Sequence, residues 1–187
     1  MTIDPFKKLT VNTSFQWPPV VSTTGLFLVF LVFFSCTGKT TEQQGATNEE
    51  IMLTEKIRLK ELNGEPIDLQ QYQGKTLFIN LWATWCGPCI KEMPSIERAK
   101  KVLADSDIEF LIASNESLEE IEGFIKKRNL DLHYVQLENL EELNVQALPT
   151  TFIINSKGEL RFSEMGYREW DTTENIELIT KIIQSNE

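Results

Sequence analysis

Residues 76–94 read Thr-Leu-Phe-Ile-Asn-Leu-Trp-Ala-Thr-Trp-Cys-Gly-Pro-Cys-Ile-Lys-Glu-Met-Pro, and this stretch decides the architecture. Its first part, Thr76 to Trp82, is almost continuously apolar, which predicts a central strand covered on both faces by helices. Beyond it, Ile90, Met93, Ile96, Ala99, Val102 and Leu103 recur at helical spacing with Lys91, Glu97, Lys100 and Lys101 between them, so one amphipathic helix follows. Pro94 lies inside that helix and, lacking an N–H, predicts a kink one turn after the cysteines. Cys86 and Cys89 therefore stand where a buried strand passes into a helix. Free N–H groups and the helix dipole at that junction favour a thiolate, which makes Cys86 the nucleophile. Cys89, one turn inside, is placed to attack a mixed disulfide at Cys86 and release the product. Gly87 reads as a tight-turn residue, and Pro88 suits a first helical turn.

Other uses of a Cys-x-x-Cys pair meet obstacles in the remaining residues. Structural zinc needs about four ligands, but there is no second such pair and His133 is the only histidine. Attachment of a c-type haem needs a histidine after the second cysteine, where Ile90 stands. A passive structural disulfide suits a solvent-facing helix start poorly. No resident metal and no cofactor are expected, the redox-active cysteine pair being the reacting group.

Before the central strand, Ile57 to Leu62 alternates apolar with charged residues and Asn63-Gly64 follows, predicting an edge strand in an N-terminal β-hairpin. After the cysteine helix, Ile108 to Ala113 reads as a strand. Ser117 with Glu120 forms a capping box for a helix reaching about Arg128. Further strands are expected at His133 to Gln136, Thr150 to Asn155 and Glu159 to Ser163, with a short helix at Glu138 to Leu143. Asp171 with Glu174 opens a last amphipathic helix carrying Ile176, Ile179, Ile182 and Ile183. The charge run Glu116 to Lys127 reads as a solvated helix face, and His133 as a structural residue.

Gly25 to Phe34 is an uncharged apolar run, too short for the roughly 20 residues of a membrane span and of the length of an export-signal core. Ser35-Cys36 at its end resembles the lipobox of bacterial lipoproteins, which predicts lipid attachment at Cys36; a short uncleaved anchor is the other reading. Lys39 to Glu50 carries almost nothing apolar. The expected organisation is an export segment over residues 1–35, a flexible tether over 36–50 and a folded domain over 51–187. Among the chain's 187 residues, 41% are hydrophobic and 25% charged, as in a globular protein. A formal charge of −10 and a pI near 4.7 argue against a nucleic-acid partner.

Leu81 to Pro94 resembles the active-site segment of the thioredoxin superfamily, and most closely its TlpA/ResA-like branch of membrane-tethered thiol-disulfide oxidoreductases. Val145 to Asn155, followed by Lys157-Gly158, resembles that family's cis-proline segment, the resemblance spanning roughly Leu53 to Ile183. It implies an α/β thioredoxin fold: a central mixed sheet flanked by helices, with the N-terminal hairpin and a central strand-helix insertion. It also implies that Leu148-Pro149 is cis and lies against the cysteines, that the Leu148 backbone pairs with a substrate peptide, and that Trp85 flanks the dithiol as a recognition surface. Glu92 matches an acidic position that tunes the cysteines or relays a proton; a solvated helix-surface glutamate is the competing reading. Asn80 stands where cytoplasmic thioredoxins carry a buried aspartate, leaving the proton acceptor for Cys89 unassigned.

The expected function is reduction of disulfides in bacterial envelope proteins by a periplasm-facing, membrane-anchored enzyme supplied by an upstream membrane electron donor. A disulfide oxidase or isomerase, a Cu(I) delivery protein and a noncatalytic adaptor docking through Trp85 remain open.

Overall fold

The computed structural model describes residues 53–185, all within the unit Thr47–Glu187. The expected export segment, the tether and Cys36 lie outside the described residues. Among the described residues no helix is long and apolar enough to cross a membrane.

A short helix, α1 (Leu53–Lys56), leads into β1 (Leu59–Lys60) and β2 (Pro66–Ile67). The turn between them needs Gly64, whose φ of 88° is open to few other residues. Then come β3 (Thr76–Leu81), α2 (Gly87–Val102), β4 (Ile108–Ser114), α3 (Leu118–Ile125), β5 (His133–Leu137), β6 (Thr150–Ile154), β7 (Leu160–Met165) and α4 (Thr173–Gln184). Single 3-10 turns occupy Leu69–Tyr72 and Leu140–Leu143. The strands form one mixed sheet in the order β2-β1-β5-β4-β3-β6-β7. The pairs β3-β4 and β4-β5 are parallel, and the rest are antiparallel.

β1 was expected at the edge, yet it lies between β2 and β5, with Leu59 opposite both Ile67 and Leu137. Its hairpin partner β2 takes the edge instead. The reason lies in β5: that strand and the 3-10 turn after it form the expected insertion, and β5 offers the free edge on which β1 docks.

Helices were expected on both faces of β3, but α2, α3 and α4 all pack on one. Met93, Ile96, Ile121, Phe124, Ile179 and Ile182 share a core with Phe78, Phe110, Ile112 and Ile153. The opposite pleat, Leu77, Ile79, Leu81, Leu111, Ala113 and Val135, is covered by Ile57, Leu69, Tyr72, Leu140 and Leu143 from the N-terminal segment and the two 3-10 turns. Topology explains this: β3, β4 and β5 are laid down in one direction across the sheet, so two crossovers of the same hand put α2 and α3 on the same side.

Pro94 lies inside α2, which runs as one helix from Gly87 to Val102. The capping box at Ser117 and Glu120 is present as expected. The cap of α4 is Thr172, whose hydroxyl accepts from the Asn175 N–H; Asp171 is drawn away by Arg98, whose Nε donates to it.

His133 joins three strands: Nδ1 lies 3.1 Å from Glu109 Oε1 on β4, and Nε2 3.1 Å from Glu61, just after β1. Burial alone would lower its pKa, but the hydrogen bonds to Glu109 and Glu61 outweigh it and the net shift is upward from 6.5. The imidazolium therefore stabilises the fold below about pH 6.5, and that contribution fades as pH rises through the raised folded-state value. Replacing His133 by Gln is expected to cost roughly 0.5–1 kcal/mol in urea melts at pH 5.5 and clearly less at pH 8.5. An equal cost at both pH values would mean that the histidine acts by packing alone.

Candidate active site

β3 ends at Leu81, and Trp82 closes it with its ring in the core against Phe124 and Tyr134, centroids 4.6 and 5.7 Å away. The chain then turns through Ala83, Thr84 and Trp85 into α2. Cys86 is the N-cap of that helix, and its Sγ accepts from the Cys89 N–H at 3.3 Å. The two cysteines are joined in a disulfide with their Cα atoms 5.3 Å apart. Cys89 is fully buried and Cys86 is 4% exposed, so substrate can approach only from the Cys86 side. Trp85, immediately before Cys86, is 75% exposed. Gly87 and Pro88 form the exposed first turn of α2. A side chain at Gly87 would meet nothing within 4 Å, and its φ is not positive, so the tight turn does not demand glycine there. What glycine does is leave the backbone beside Cys86 bare.

The Leu148-Pro149 bond is cis, Pro149 is buried and Leu148 half-buried. At Gly166, with φ of 103°, the chain turns so that its N–H donates to the Pro149 carbonyl at 2.8 Å. This brings the loop between β7 and α4 against the same end of the sheet.

Glu92 follows Cys89 by one helical turn and is fully buried, so the solvated-glutamate reading is overturned. Its Oε1 accepts from Asn80 Nδ2 at 2.6 Å and its Oε2 from the Arg168 backbone N–H at 3.1 Å. Trp170 Nε1 lies near the same carboxyl but forms no hydrogen bond of good geometry. Burial raises the Glu92 pKa, the hydrogen bonds from the Arg168 N–H and Asn80 and the nearby Trp170 N–H pull it back, and it settles at about 7. A carboxyl group that titrates near neutrality beneath a dithiol can accept or return a proton during exchange.

Glu116 was expected on a solvated helix face and is a clamp instead. Its Oε2 accepts from the Thr84 N–H at 2.6 Å and its Oε1 from the Thr84 hydroxyl at 2.7 Å, fastening the loop two residues before Cys86. Ser114, at the end of β4, donates to the same carboxyl at 3.0 Å. Sequence reasoning missed Glu116, Arg168 and Thr151; the Glu92 partner on Arg168 is a backbone N–H, which leaves no mark on side-chain identity. Among the described residues no group of three or more His, Cys, Asp or Glu is placed to hold a metal ion.

The family model described as Redoxin matches residues 43–178. The chain belongs to the redoxin family. It is 32% identical over 139 residues to the thiol-disulfide oxidoreductase ResA of Geobacillus kaustophilus, covering 72% of this chain and 75% of that one. ResA of Bacillus subtilis is 33% identical over 106 residues, 54% of this chain and 59% of its own length. Among solved structures, a putative thiol-disulfide oxidoreductase from Bacteroides vulgatus superposes with a TM-score of 0.59 at 25% identity, covering 67% of this chain and 90% of that one. The protein is a thiol-disulfide oxidoreductase of the ResA-like kind, with the thioredoxin fold.

Glu92 carries a proton in the folded state up to about pH 7 that the unfolded chain releases near 4.5, so its burial lowers stability as pH rises between those values. Glu92→Gln removes this dependence. In denaturant melts of the oxidised protein, the variant is expected to gain on the wild type by on the order of 2 kcal/mol between pH 5 and pH 8. A difference that stays constant over that range would show that Glu92 titrates as it does in water.

Proposed function

We propose that the protein reduces disulfides of proteins at the bacterial cell envelope, facing the periplasm, through Cys86 and Cys89. The observation that carries this reading is the Cys86–Cys89 disulfide at the N-terminus of α2, with Cys89 sealed beneath it and Trp85 exposed beside it. In the reduced protein, the Cys86 thiolate attacks one sulfur of the partner's disulfide. That bond breaks, a mixed disulfide forms, and the partner's other sulfur leaves as a thiolate. Cys89 passes its proton to the Glu92 carboxylate, and its sulfur attacks Cys86 Sγ. The Cys86–Cys89 bond closes and expels the partner's second thiolate. Two electrons have moved from the dithiol to the partner, whose thiolates take up one proton from Glu92 and one from solvent. Reduction of the new disulfide by an upstream membrane electron donor closes the cycle.

Trp85, Gly87 and Pro88 form the docking surface on one side of the cysteines, and Leu148 and Pro149 on the other, where the Leu148 backbone pairs with an extended substrate segment. Cys36 carries the lipid that holds the enzyme at the membrane, and residues 36–50 give it reach. The ResA-like relatives support the thiol chemistry; the apolar run ending at Ser35-Cys36 supports the anchor.

Equilibration of the Cys86–Cys89 couple against glutathione or dithiothreitol buffers is expected to give a reduction potential near or below about −250 mV. A value above about −180 mV would instead assign an oxidase or isomerase. With Cys89→Ala, mixed disulfides to envelope proteins should accumulate at Cys86, and an empty trap under native expression would count against exchange altogether.

A further inference from the structure

Asn80 is the fully buried amide of β3, set in a strand whose other side chains are all buried as well. The pleat turns it toward α2, where Nδ2 donates both to Glu92 Oε1 at 2.6 Å and to Thr151 Oγ1 at 2.9 Å. Thr151 lies directly across from it on β6, so the backbone ladder holds the two side chains together. The other end of the amide, Oδ1, is buried without a partner. All the hydrogen bonding of this side chain is thus turned to one side, the side of the carboxyl group.

The two oxygens of Glu92 are not equivalent. Oε2 faces the Arg168 backbone N–H, a donor that cannot become an acceptor, so a proton on the carboxyl group belongs on Oε1. There it would point at the Asn80 amide, donor against donor. A half-turn of the amide relieves the conflict at almost no change in shape, because its N and O ends are nearly isosteric. Oδ1 would then accept from the Glu92 O–H, and also from the Thr151 hydroxyl, which can donate as readily as it accepts.

We propose that Asn80 is a positioning residue for the proton that Glu92 carries: its amide donates to the ionised carboxylate and turns over to accept from the protonated one, the Thr151 hydroxyl reversing its role alongside. The inference deepens the reading in which Glu92 takes the Cys89 proton and rests on that reading for its place in exchange. In the ionised arrangement the Asn80 amide leaves only its carbonyl oxygen unpartnered, whereas in the turned one it strands its N–H₂ group, so Asn80 favours the carboxylate and opposes the effect of burial. Few other groups compete for this role. The groups facing the carboxyl are Tyr167, Arg168 and Trp170 from the loop between β7 and α4; the Trp170 indole N–H can only donate and so cannot follow the proton as an amide can. The Arg168 guanidinium is turned to Glu164 and Asn175, and Lys91 lies over the Tyr167 ring. From β3 and β6 the contacts are the uncharged Asn80 and Thr151.

The test is a pH titration of the full-length oxidised protein by NMR, following the Glu92 side-chain carboxyl carbon and the Asn80 side-chain nitrogen from pH 5 to 9. In the wild type the Asn80 signal is expected to shift with the same midpoint as Glu92. In Asn80→Leu the Glu92 midpoint should rise by about 1 pH unit, because a donor to the carboxylate is gone. Thr151→Val, a near-isosteric change, should raise it less, since the amide keeps its bond to Glu92 but loses the partner that orients it. An Asn80 signal that stays flat through the Glu92 titration, or a Glu92 midpoint that is the same in the folded variants, overturns the proposal. If Asn80→Leu does not fold, the wild-type titration and Thr151→Val decide it. The pH profile of the disulfide-exchange rate separates the two readings: a profile that ignores a moved Glu92 midpoint sinks proton transfer from Cys89, while the NMR result still rules on Asn80.

Discussion

Burying every side chain of β3, from Thr76 to Leu81, requires cover on both faces of the sheet, and the chain supplies it unevenly. One face receives three helices and the aromatic cluster of Phe78, Phe110 and Trp170, with ring centroids 4.8 and 4.7 Å from Phe78. The other is covered by the N-terminal segment and two single turns. Because the helices share a face, the start of α2 stands over the end of β3 with Trp82 beneath it, and the disulfide inherits that rigidity. The Glu116 clamp on Thr84 fixes the short connection between them from the side of β4.

The same burial makes polar residues under the helices expensive, and those present are nearly all hydrogen-bonded. Ser95 shows the pattern: its hydroxyl donates to the Glu92 carbonyl at 2.7 Å and accepts from the Trp170 N–H at 3.0 Å. Glu92, Asn80 and Thr151 form a second polar group within an apolar layer, and here the satisfaction is incomplete, since Asn80 Oδ1 has no partner. A layer evolved for stability alone would carry apolar side chains at these positions. A buried carboxyl group next to a dithiol is where a fold gives up stability for chemistry.

The strand-to-helix junction at Cys86 and the capping box at Ser117 were legible in sequence because each is written in neighbouring residues, whereas the cis bond at Pro149 was implied only by the family resemblance. Glu92 was not legible. Helical spacing puts Met93 and Ile96 inward, and a glutamate between inward positions reads equally well as a surface residue until the β7–α4 loop is seen to close over it through the Arg168 N–H. Glu116 was misread for a related reason: it precedes the helix it was counted with, and its partner Thr84 is 32 residues away. The place of β1 inside the sheet depended on β5, a strand from the far half of the chain, so alternation within Ile57 to Leu62 could identify a strand but not its neighbours.

Two opposed fields act on the cysteines, and their balance bears on the direction of electron flow. The N-terminus of α2 stabilises a thiolate at Cys86 and so favours the reduced form, which on its own would make the couple oxidising. Negative charge near a sulfur disfavours the thiolate, so Glu92, one turn below Cys89 and charged once ionised above about pH 7, and Glu116, fastened to Thr84 two residues before Cys86, would act the other way. The formal charge of −10 over the chain matters far less, since charges beyond about 8–10 Å are largely screened at physiological salt. Disfavouring the thiolate destabilises the reduced couple, and a destabilised reduced form gives up its electrons more readily. Carboxyl groups carried within a turn of each end of the cysteine pair therefore favour a reductant over an oxidant.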